Sequence, residues 1–597
     1  MSSLSVQAAR RLRPAGPFHI PPPAQPLRAV CHLILEDCPY QPEIYVTDTR
    51  RELGWHLAMT PDGNNRWTAE LRMPTEVTIL HYHFKFDDDA LPPLMERRQV
   101  EGRNTPIYGE WIEEPFKIAV YDPARMPAEW TKGMIIYQIF PDRFANGDPS
   151  NDRLSMGVYG HEPLYLEWGE RPEHPPLGRD FFGGDLRGVI DKLDYLRDLG
   201  VDCLYFTPIF HAASNHRYDA IDYFKIDPML GTEQDFDELI EKAHAQDMKI
   251  VLDAVFNHCS SDSRYFDIVG RYGEGAVVSK HSHYYRWFDF IEWPHAYRGW
   301  QGLGFMPEFV ECPEVEEFFV GPEGVSAYWL ERGIDGWRCD VAFDNSDEFW
   351  RRFRKRIDSI RPGAYSIAEL WINATHYMLG DTFNGSMNYR LGWALWGFCL
   401  TDSLTPSELD DRLMTLQRDT PEPALYSQMN VVDSHDTARI MTVAKRDRRR
   451  VKQIAAFHLA YPGAPMIYYG SETGLEGEDA EDGRRCMPWD DLDQEMLTYY
   501  KHIISIHRRS RALRLGSYET ILLDDGRRLY GFARRCDDEV VLALFNGSDE
   551  TVEIALQQDD SRQWKEVIHG RDVFRAQNGV LKVQLEARGA VWLMPVD

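Results

Sequence analysis

From about residue 27 to 115, apolar and polar positions alternate with period two. Leu80, Tyr82, Phe84 and Phe86 interleave with His81, His83 and Lys85, and Asp62-Gly63 marks a turn. This is the pattern of a small antiparallel β-sandwich. A proline-bearing link (Pro115, Pro123, Pro127) follows, and the texture then changes to short apolar runs alternating with amphipathic stretches. The runs are 134–140, 203–209, 250–256, 336–341, 364–368, 387–389, 429–432 and 465–469. Between them lie helical patterns such as Arg187 to Leu199, closed by Gly200, and Glu233 to Gln246, opened by Thr232 as N-cap. Eight strand-helix repeats predict an α/β fold, a (β/α)8 TIM barrel, with an insertion after strand three at about 259–307 where no repeat unit fits. Period two returns in 528–532 and 540–545, predicting a C-terminal antiparallel β domain.

The domains expected are therefore a disordered, proline-rich lead-in (1–26), an N-terminal β-sandwich of carbohydrate-binding or dimerisation type (27–122), the barrel (123–512) and the C-terminal β domain (513–597). The 597 residues are too many for a single core. Composition removes several function classes. No apolar stretch approaches the ~18 residues of a membrane span. The net charge of -29 opposes nucleic acid and anionic lipid as partners. Nine cysteines without a C-x-x-C pair fit neither a zinc ribbon nor a disulfide framework, so a reducing, cytoplasmic location is expected. Arg10, Arg11 and Arg13 precede no apolar h-region, and no secretion signal is expected.

Active sites of such barrels form where strands end. The predicted ends carry Asp253-Ala-Val-Phe-Asn257-His258, Arg338-Cys339-Asp340, Glu369 and Asp433-Ser-His435-Asp436. Arg338 and Asp340, two apart on a strand, project to one side, so the guanidinium can hold and orient the carboxylate as a nucleophile. Cys339 then points the other way, as a packed thiol. Crowding by other carboxylates raises the proton affinity of a carboxyl group, which suits Glu369 as a general acid. Two such carboxyls flanking a bond are the equipment of glycoside hydrolysis. Any one of these residues alone is explained by strand-end pairing, but the set is not, because each unpaired buried charge is costly. Asn146, Asp148, Asn151 and Asp152, with Gly183-Gly-Asp185 further on, offer hard oxygen donors at calcium-like spacing; an Asx-rich turn without an ion fits the same residues equally.

These blocks, Asp253-Ala-Val-Phe-Asn-His258, Gly336-Trp-Arg-Cys-Asp340, Glu369-Leu-Trp371 and Ser434-His-Asp436, resemble in order those of the α-amylase family of retaining glycoside hydrolases, within it the cyclomaltodextrinase, neopullulanase and maltogenic amylase group. The resemblance spans nearly the whole chain. It implies Asp340 as nucleophile, Glu369 as general acid/base and Asp436 as transition-state stabiliser. It further implies Tyr218, His216, Asp253, Asn257, His258, Arg338, Trp371, His435 and Arg484 as substrate-binding residues. A structural Ca2+ held by Asn146, Asp148, Asn151, Asp152, Gly183 and Asp185 is implied too, without an organic cofactor. The partners implied are an α-glucan oligosaccharide or polysaccharide substrate and a second copy of the chain in a homodimer. Departures fall where substrate choice is made: Phe343-Asp344 in place of Asn-Glu, Ile372-Asn373 in place of His-Asp, and Glu308-Phe309-Val310 in place of Lys-Leu-Asn. Before Arg484 the first Asp of an Asp-Pro-Asp-Cys-Arg run is missing, with Asp479 as its possible substitute. The nearby acidic residues Glu476, Glu478, Glu481 and Asp482 read as a solvated loop. The function implied is hydrolysis of α-1,4 links in cyclodextrins, maltooligosaccharides, pullulan or starch, with transglycosylation as a second outcome. An α-1,6-, trehalose- or sucrose-directed relative and a non-catalytic carbohydrate-binding scaffold are the alternatives.

Overall fold

The eight apolar runs of the middle region close on themselves. A computed structural model describes residues 16–88, 91–101, 108–558, 563–570 and 573–596. In it β1 (Ile136–Ile139), β2 (Cys203–Phe206), β3 (Lys249–Ala254), β4 (Gly336–Cys339), β5 (Tyr365–Ala368), β6 (Gly385–Asn388), β7 (Met429–Val431) and β8 (Ala464–Tyr468) form a closed parallel barrel, with β8 paired to β1. Successive side chains point to opposite sheet faces, so each strand feeds two cores. Ile136, Tyr205, Val251, Ile367, Met429 and Met466 fill the interior. Tyr137, Leu204, Leu252 and Cys339 pack outward against the helices, as anticipated for the thiol.

Several boundaries differ from the sequence reading. Tyr389 starts the helix Tyr389–Leu395 rather than ending β6. The helix expected from Arg187 to Leu199 is two helices, Leu186–Asp191 and Leu193–Leu199, parted at Lys192. Thr232 caps Glu233–Ala245 in a reciprocal capping box with Asp235.

The N-terminal domain is a sandwich of a four-stranded and a five-stranded sheet around Leu33, Leu35, Val46, Leu80, Tyr82 and Phe84. It begins earlier than expected. Residues 1–15 of the anticipated disordered lead-in lie outside the described residues, but Phe18–His19 pairs with the strand Val30–Glu36 and Gln25–Pro26 with Phe116–Tyr121. The proline run 21–23 crosses from one sheet to the other, where no ladder donor is needed. His19 pins this start: its Nδ1–H donates to the Ile34 carbonyl at 2.6 Å and its Nε2 accepts from the Tyr82 hydroxyl at 2.7 Å. Burial lowers its pKa to about 4, keeping the ring neutral.

At the other end, the helix Arg511–Leu515 precedes the first strand, Ser517–Asp524, so the C-terminal domain begins near 516 rather than 513. The inserted region after β3 holds two short paired strands, Phe290–Glu292 and Ala296–Tyr297, and returns to the barrel mouth through a backbone bridge between His258 and Glu308. Among the described residues no helix is long and apolar enough to cross a membrane.

Candidate active site

Arg338 organises the mouth of the barrel. Register places Arg338 on β4 beside Asp253 on β3, and both side chains are buried. Its Nη1 lies 2.9 Å from Asp253 Oδ1 and 2.7 Å from Asp340 Oδ1, and its Nη2 lies 3.1 Å from Glu369 Oε2. One guanidinium thus faces three carboxyl groups from three adjacent strand ends. Asp253 carries the structural end of this arrangement, since its Oδ2 also accepts from the Tyr205 and Tyr218 hydroxyls at 2.7 and 2.9 Å. Burial pushes the Asp253 carboxyl up to about 6 against the pull of Arg338. Burial also pushes Asp340 well above the carboxylate range, with Arg338 opposing and the Glu369 and Asp253 charges adding to the rise.

Glu369 is held from two sides: Trp371 Nε1–H donates to its Oε1 at 3.0 Å and the Val341 backbone N–H to its Oε2 at 2.9 Å. Val341 directly follows Asp340 and sits at φ 38°, ψ 51°. A β-branched residue there carries strain on the order of 1–3 kcal/mol, and the turn aims its N–H across to the neighbouring strand end.

His435 and Asp436 follow β7. Gln138 Nε2–H donates to His435 Nδ1 at 2.6 Å, and His435 Nε2 lies 2.5 Å from the Tyr218 hydroxyl and 3.1 Å from Asp436 Oδ2. The network assigns the proton of His435 to Nε2 and the hydroxyl proton of Tyr218 to Asp253. Burial, with Arg338 and Arg484 nearby, pushes the His435 pKa well down, so the ring stays neutral. Arg484 donates to the His435 carbonyl at 3.0 Å and stands 3.6 Å from Asp436. Half-buried Tyr218 lies parallel to the His435 ring at 5.5 Å, with His216 beside it at 6.0 Å.

His258, lowered by burial to about 4, leaves its buried Nε2 without a partner. Over it lies Trp300 of the insertion, ring centroids 5.1 Å apart. Asn257 is buried next to it, its amide 3.4 Å from His258 Nδ1.

The residues anticipated from the strand ends therefore converge, with three refinements. Trp371 packs face to face on Tyr389 at 4.2 Å and orients Glu369, so it acts on the acid more than as an open sugar platform. Asp433 faces away, accepting from Ile440 N–H and the Ser471 hydroxyl. Asp479 is exposed and closes a local turn by accepting from Asp482 N–H at 2.8 Å, while Glu481 lines a cavity of about 280 Å³ with His216 and Arg484. Sequence reasoning missed Trp300, Gln138 and Tyr205. Gln138, polar and fully buried within an apolar strand, carried a readable signal.

The oxygen-rich loop fits a cation in part. Asn151 Oδ1 is buried without a partner. Gly183 leaves a cradle in which a Cβ would come within 2.6 Å of Asp152 Oδ1 and 2.7 Å of Asn146 Nδ2. Burial raises the Asp152 pKa, opposed by the hydrogen bond that Asn146 Nδ2 donates to its Oδ1 at 2.9 Å, with Asp185, Asp142 and Asp148 adding to the rise. Asp185, however, has both oxygens occupied, by N–H groups of Gly147 and Gly188 and of Asp148 and Asn151, which suits a brace more than a ligand. Asp148 Oδ1 likewise accepts from Ser150. Among the described residues no group of three or more His, Cys, Asp or Glu is arranged to hold a metal ion.

A family model described as alpha amylase, catalytic domain, matches residues 138–511, and one described as maltogenic amylase, C-terminal domain, matches 518–592. The chain belongs to the α-amylase family. It is 36% identical over 473 residues to a cyclomaltodextrinase of Geobacillus thermopakistaniensis (strain MAS1), the match covering 78% of this chain and 77% of that one, and 36% identical over 471 residues to neopullulanase 2 of Thermoactinomyces vulgaris, covering 76% of this chain and 77% of that one. An amylopullulanase of Thermoanaerobacter thermohydrosulfuricus is 35% identical over 581 residues, covering 83% of this chain. The chain spans only 38% of that relative's length. A solved cyclomaltodextrinase structure superposes over 97% of this chain and 99% of its own, with TM-score 0.74 and 27% identity.

Proposed function

We propose that the chain is a retaining α-glucan hydrolase that cleaves α-1,4-glucosidic bonds in cyclodextrins, maltooligosaccharides, pullulan or starch. The observation that carries this reading is the single Arg338 guanidinium shared by Asp253, Asp340 and Glu369. Arg338 gives Asp340 a fixed cationic partner in its ionised form, Glu369 stands on the adjacent strand end, and a retaining site needs one ionised and one protonated acid at the start.

In the first step Asp340 attacks the anomeric carbon, forming a glycosyl ester, while the C–O bond to the leaving sugar breaks and Glu369 gives its proton to that oxygen. In the second, Glu369 takes a proton from water, whose oxygen displaces Asp340; interception by a sugar hydroxyl instead gives transglycosylation. Asp436 and His435 hold hydroxyls of the distorted sugar, and Tyr218 offers an aromatic face beneath it. His258, neutral and unpartnered at Nε2, is supplied as a hydrogen-bonding group at the same sugar. The names of the amylopullulanase and neopullulanase relatives favour pullulan among the substrates to try first.

The loop at 146–152, with Gly183, is proposed to hold a structural Ca2+ through Asn146, Asn151, Asp152 and the Gly183 carbonyl, bracing the barrel rather than doing chemistry. A cytoplasmic homodimer is proposed on the resemblance, and the nine cysteines, none in a disulfide, are in keeping with that compartment.

The test is reducing-sugar release and product chromatography on cyclodextrin, pullulan and soluble starch, with Asp340→Asn as control. Turnover of at least one by the native chain and its loss in the variant are expected. Equal release by both proteins would overturn the reading.

A further inference from the structure

Three residues after Asp436, the loop leaving β7 carries Arg439, a fully buried cation that the catalytic account does not use. Among the described residues, each of its side-chain hydrogen bonds goes to a neutral oxygen. Nε–H donates to the Gly483 carbonyl at 2.8 Å, and Nη1 to the Tyr469 carbonyl at 2.5 Å and the Ser471 hydroxyl at 3.3 Å. Nη2 is buried without a partner, and the guanidinium lies over the Tyr468 ring at 3.6 Å. A buried cation met only by neutral oxygens and a ring face is costly, and an apolar side chain of similar size would fill the space at less cost. What an apolar side chain could not do is hold carbonyls.

The Gly483 carbonyl belongs to the segment that presents Arg484. Three successive carbonyls there are each taken by a buried donor from a different strand-end loop. Arg439 after β7 holds Gly483, Arg143 after β1 holds Arg484 through Nη1 at 2.8 Å, and the Tyr469 hydroxyl after β8 holds Arg485 at 2.6 Å. The Arg439 backbone N–H also donates to the Gly477 carbonyl at 3.0 Å, so the residue grips both ends of the turn 477–483. The seam is tight: a Cβ on Gly483 would come within 3.2 Å of the Thr437 carbonyl. From this seat Arg484 donates to the His435 carbonyl at 3.0 Å, stands 3.6 Å from Asp436 Oδ1 and lines the 280 Å³ cavity with His216. Arg143 has counter-ions in Asp142 and Asp180, so Arg439 is the clamp whose burial its own contacts explain least.

We propose that Arg439 is a positioning residue for substrate binding: by tying the Gly483 carbonyl to the β7 loop it fixes where Arg484 stands beside Asp436 and His216, and so how tightly a sugar chain is held there. The inference rests on the glycosidase reading for the identity of the ligand.

The test is a double-mutant cycle between Arg439→Lys and Arg484→Ala in the full-length chain, read as kcat and KM on maltoheptaose together with amide hydrogen exchange of residues 477–485. Lysine keeps the charge but replaces the planar fork with a single nitrogen. Arg439→Lys is expected to raise KM about 5- to 20-fold with a smaller change in kcat, the worth of one or two hydrogen bonds, and to speed exchange in 477–485. In the Arg484→Ala background the same substitution should change KM less than about 2-fold. An equal rise in both backgrounds would make Arg439 a merely structural residue and overturn the proposal, as would native KM and native exchange in Arg439→Lys. Gly483→Ala presses on the same seam with Arg439 in place, which covers the case of a lysine variant that does not fold. It is expected to raise KM and to lose that effect without Arg484; a native KM would again overturn the proposal. Absence of maltoheptaose turnover by the native chain would break the glycosidase reading instead, and the cycle is then read by calorimetric titration of maltoheptaose, which needs no turnover.

Discussion

The two halves of the barrel mouth are built on different principles. On the catalytic half, Asp253, Arg338, Asp340 and Glu369 are all buried and each carboxyl is held through the same cation. On the rim, Phe343 is 47% exposed, Asp344 is exposed, and Trp300 arrives from the insertion to donate its Nε1–H to Asp344 at 3.2 Å. Removing a partner from the first half leaves a buried charge; on the second half it leaves solvent-accessible space. Reaction class is thus constrained by electrostatics that tolerate no exchange, and substrate choice by contacts that tolerate much. The departures from the family pattern at 308–310, 343–344 and 372–373 all lie outside the buried cluster.

The sharpest way to break this contrast is Asp340→Asn. Arg338 keeps Asp253 and Glu369 as partners, so the melting temperature should stay near native while kcat falls by about 10⁴-fold or more. Next is Arg338→Met, which strands Asp253 in the interior. A loss on the order of 3–5 kcal/mol is expected by chemical denaturation, together with loss of turnover. A native-like denaturation midpoint would show that the cluster does not depend on its cation.

Trp300→Ala tests the rim. Only a few-fold change is expected in the ratio of rates on cyclodextrin and on linear maltooligosaccharides, with the fold unaffected. A collapse of turnover on every substrate would place Trp300 in the catalytic half and erase the distinction. Asp219 offers a smaller and purely energetic check. Burial pushes its carboxyl up to about 6, opposed by the Ser214 and Tyr159 hydroxyls. The folded state therefore binds a proton that the unfolded state, near pKa 3.9, has released, so this stabilisation is full below pH ~4 and is lost as pH rises through 6. Asp219→Asn should flatten the decline of melting temperature between pH 4 and 6, and an unaltered slope would remove Asp219 as its source. If the 146–152 loop binds Ca2+, chelation should lower the melting temperature by a few degrees and calcium should restore it.

Much of this was legible in the sequence because strand ends are short-range features. The eight strands, the convergence of Asp253, Arg338, Asp340, Glu369 and Asp436, and the Thr232 cap all depend on periodicity and on residues two to four apart. What was not legible depends on chain returns. Trp300 reaches His258 only because the insertion folds back through the His258 and Glu308 bridge. Phe18–His19 enters the sandwich through pairing with a strand beyond a proline run that by composition suggests disorder. Asp479 and Glu481 are near neighbours in one acidic loop, and which of them lines the cavity beside Arg484 is set by a turn that composition does not specify.

The proposed retaining mechanism requires Asp340 to form a covalent bond to the sugar. The most direct measurement is mass spectrometry of the chain after rapid acid quench with a 2-fluoro-maltosyl fluoride, whose slow second step accumulates the intermediate. Displacement of the anomeric fluoride should leave one 2-fluoro-maltosyl unit on the peptide containing Asp340, and none in Asp340→Asn. A label on another residue, or turnover of the reagent with inversion at the anomeric carbon, would contradict it.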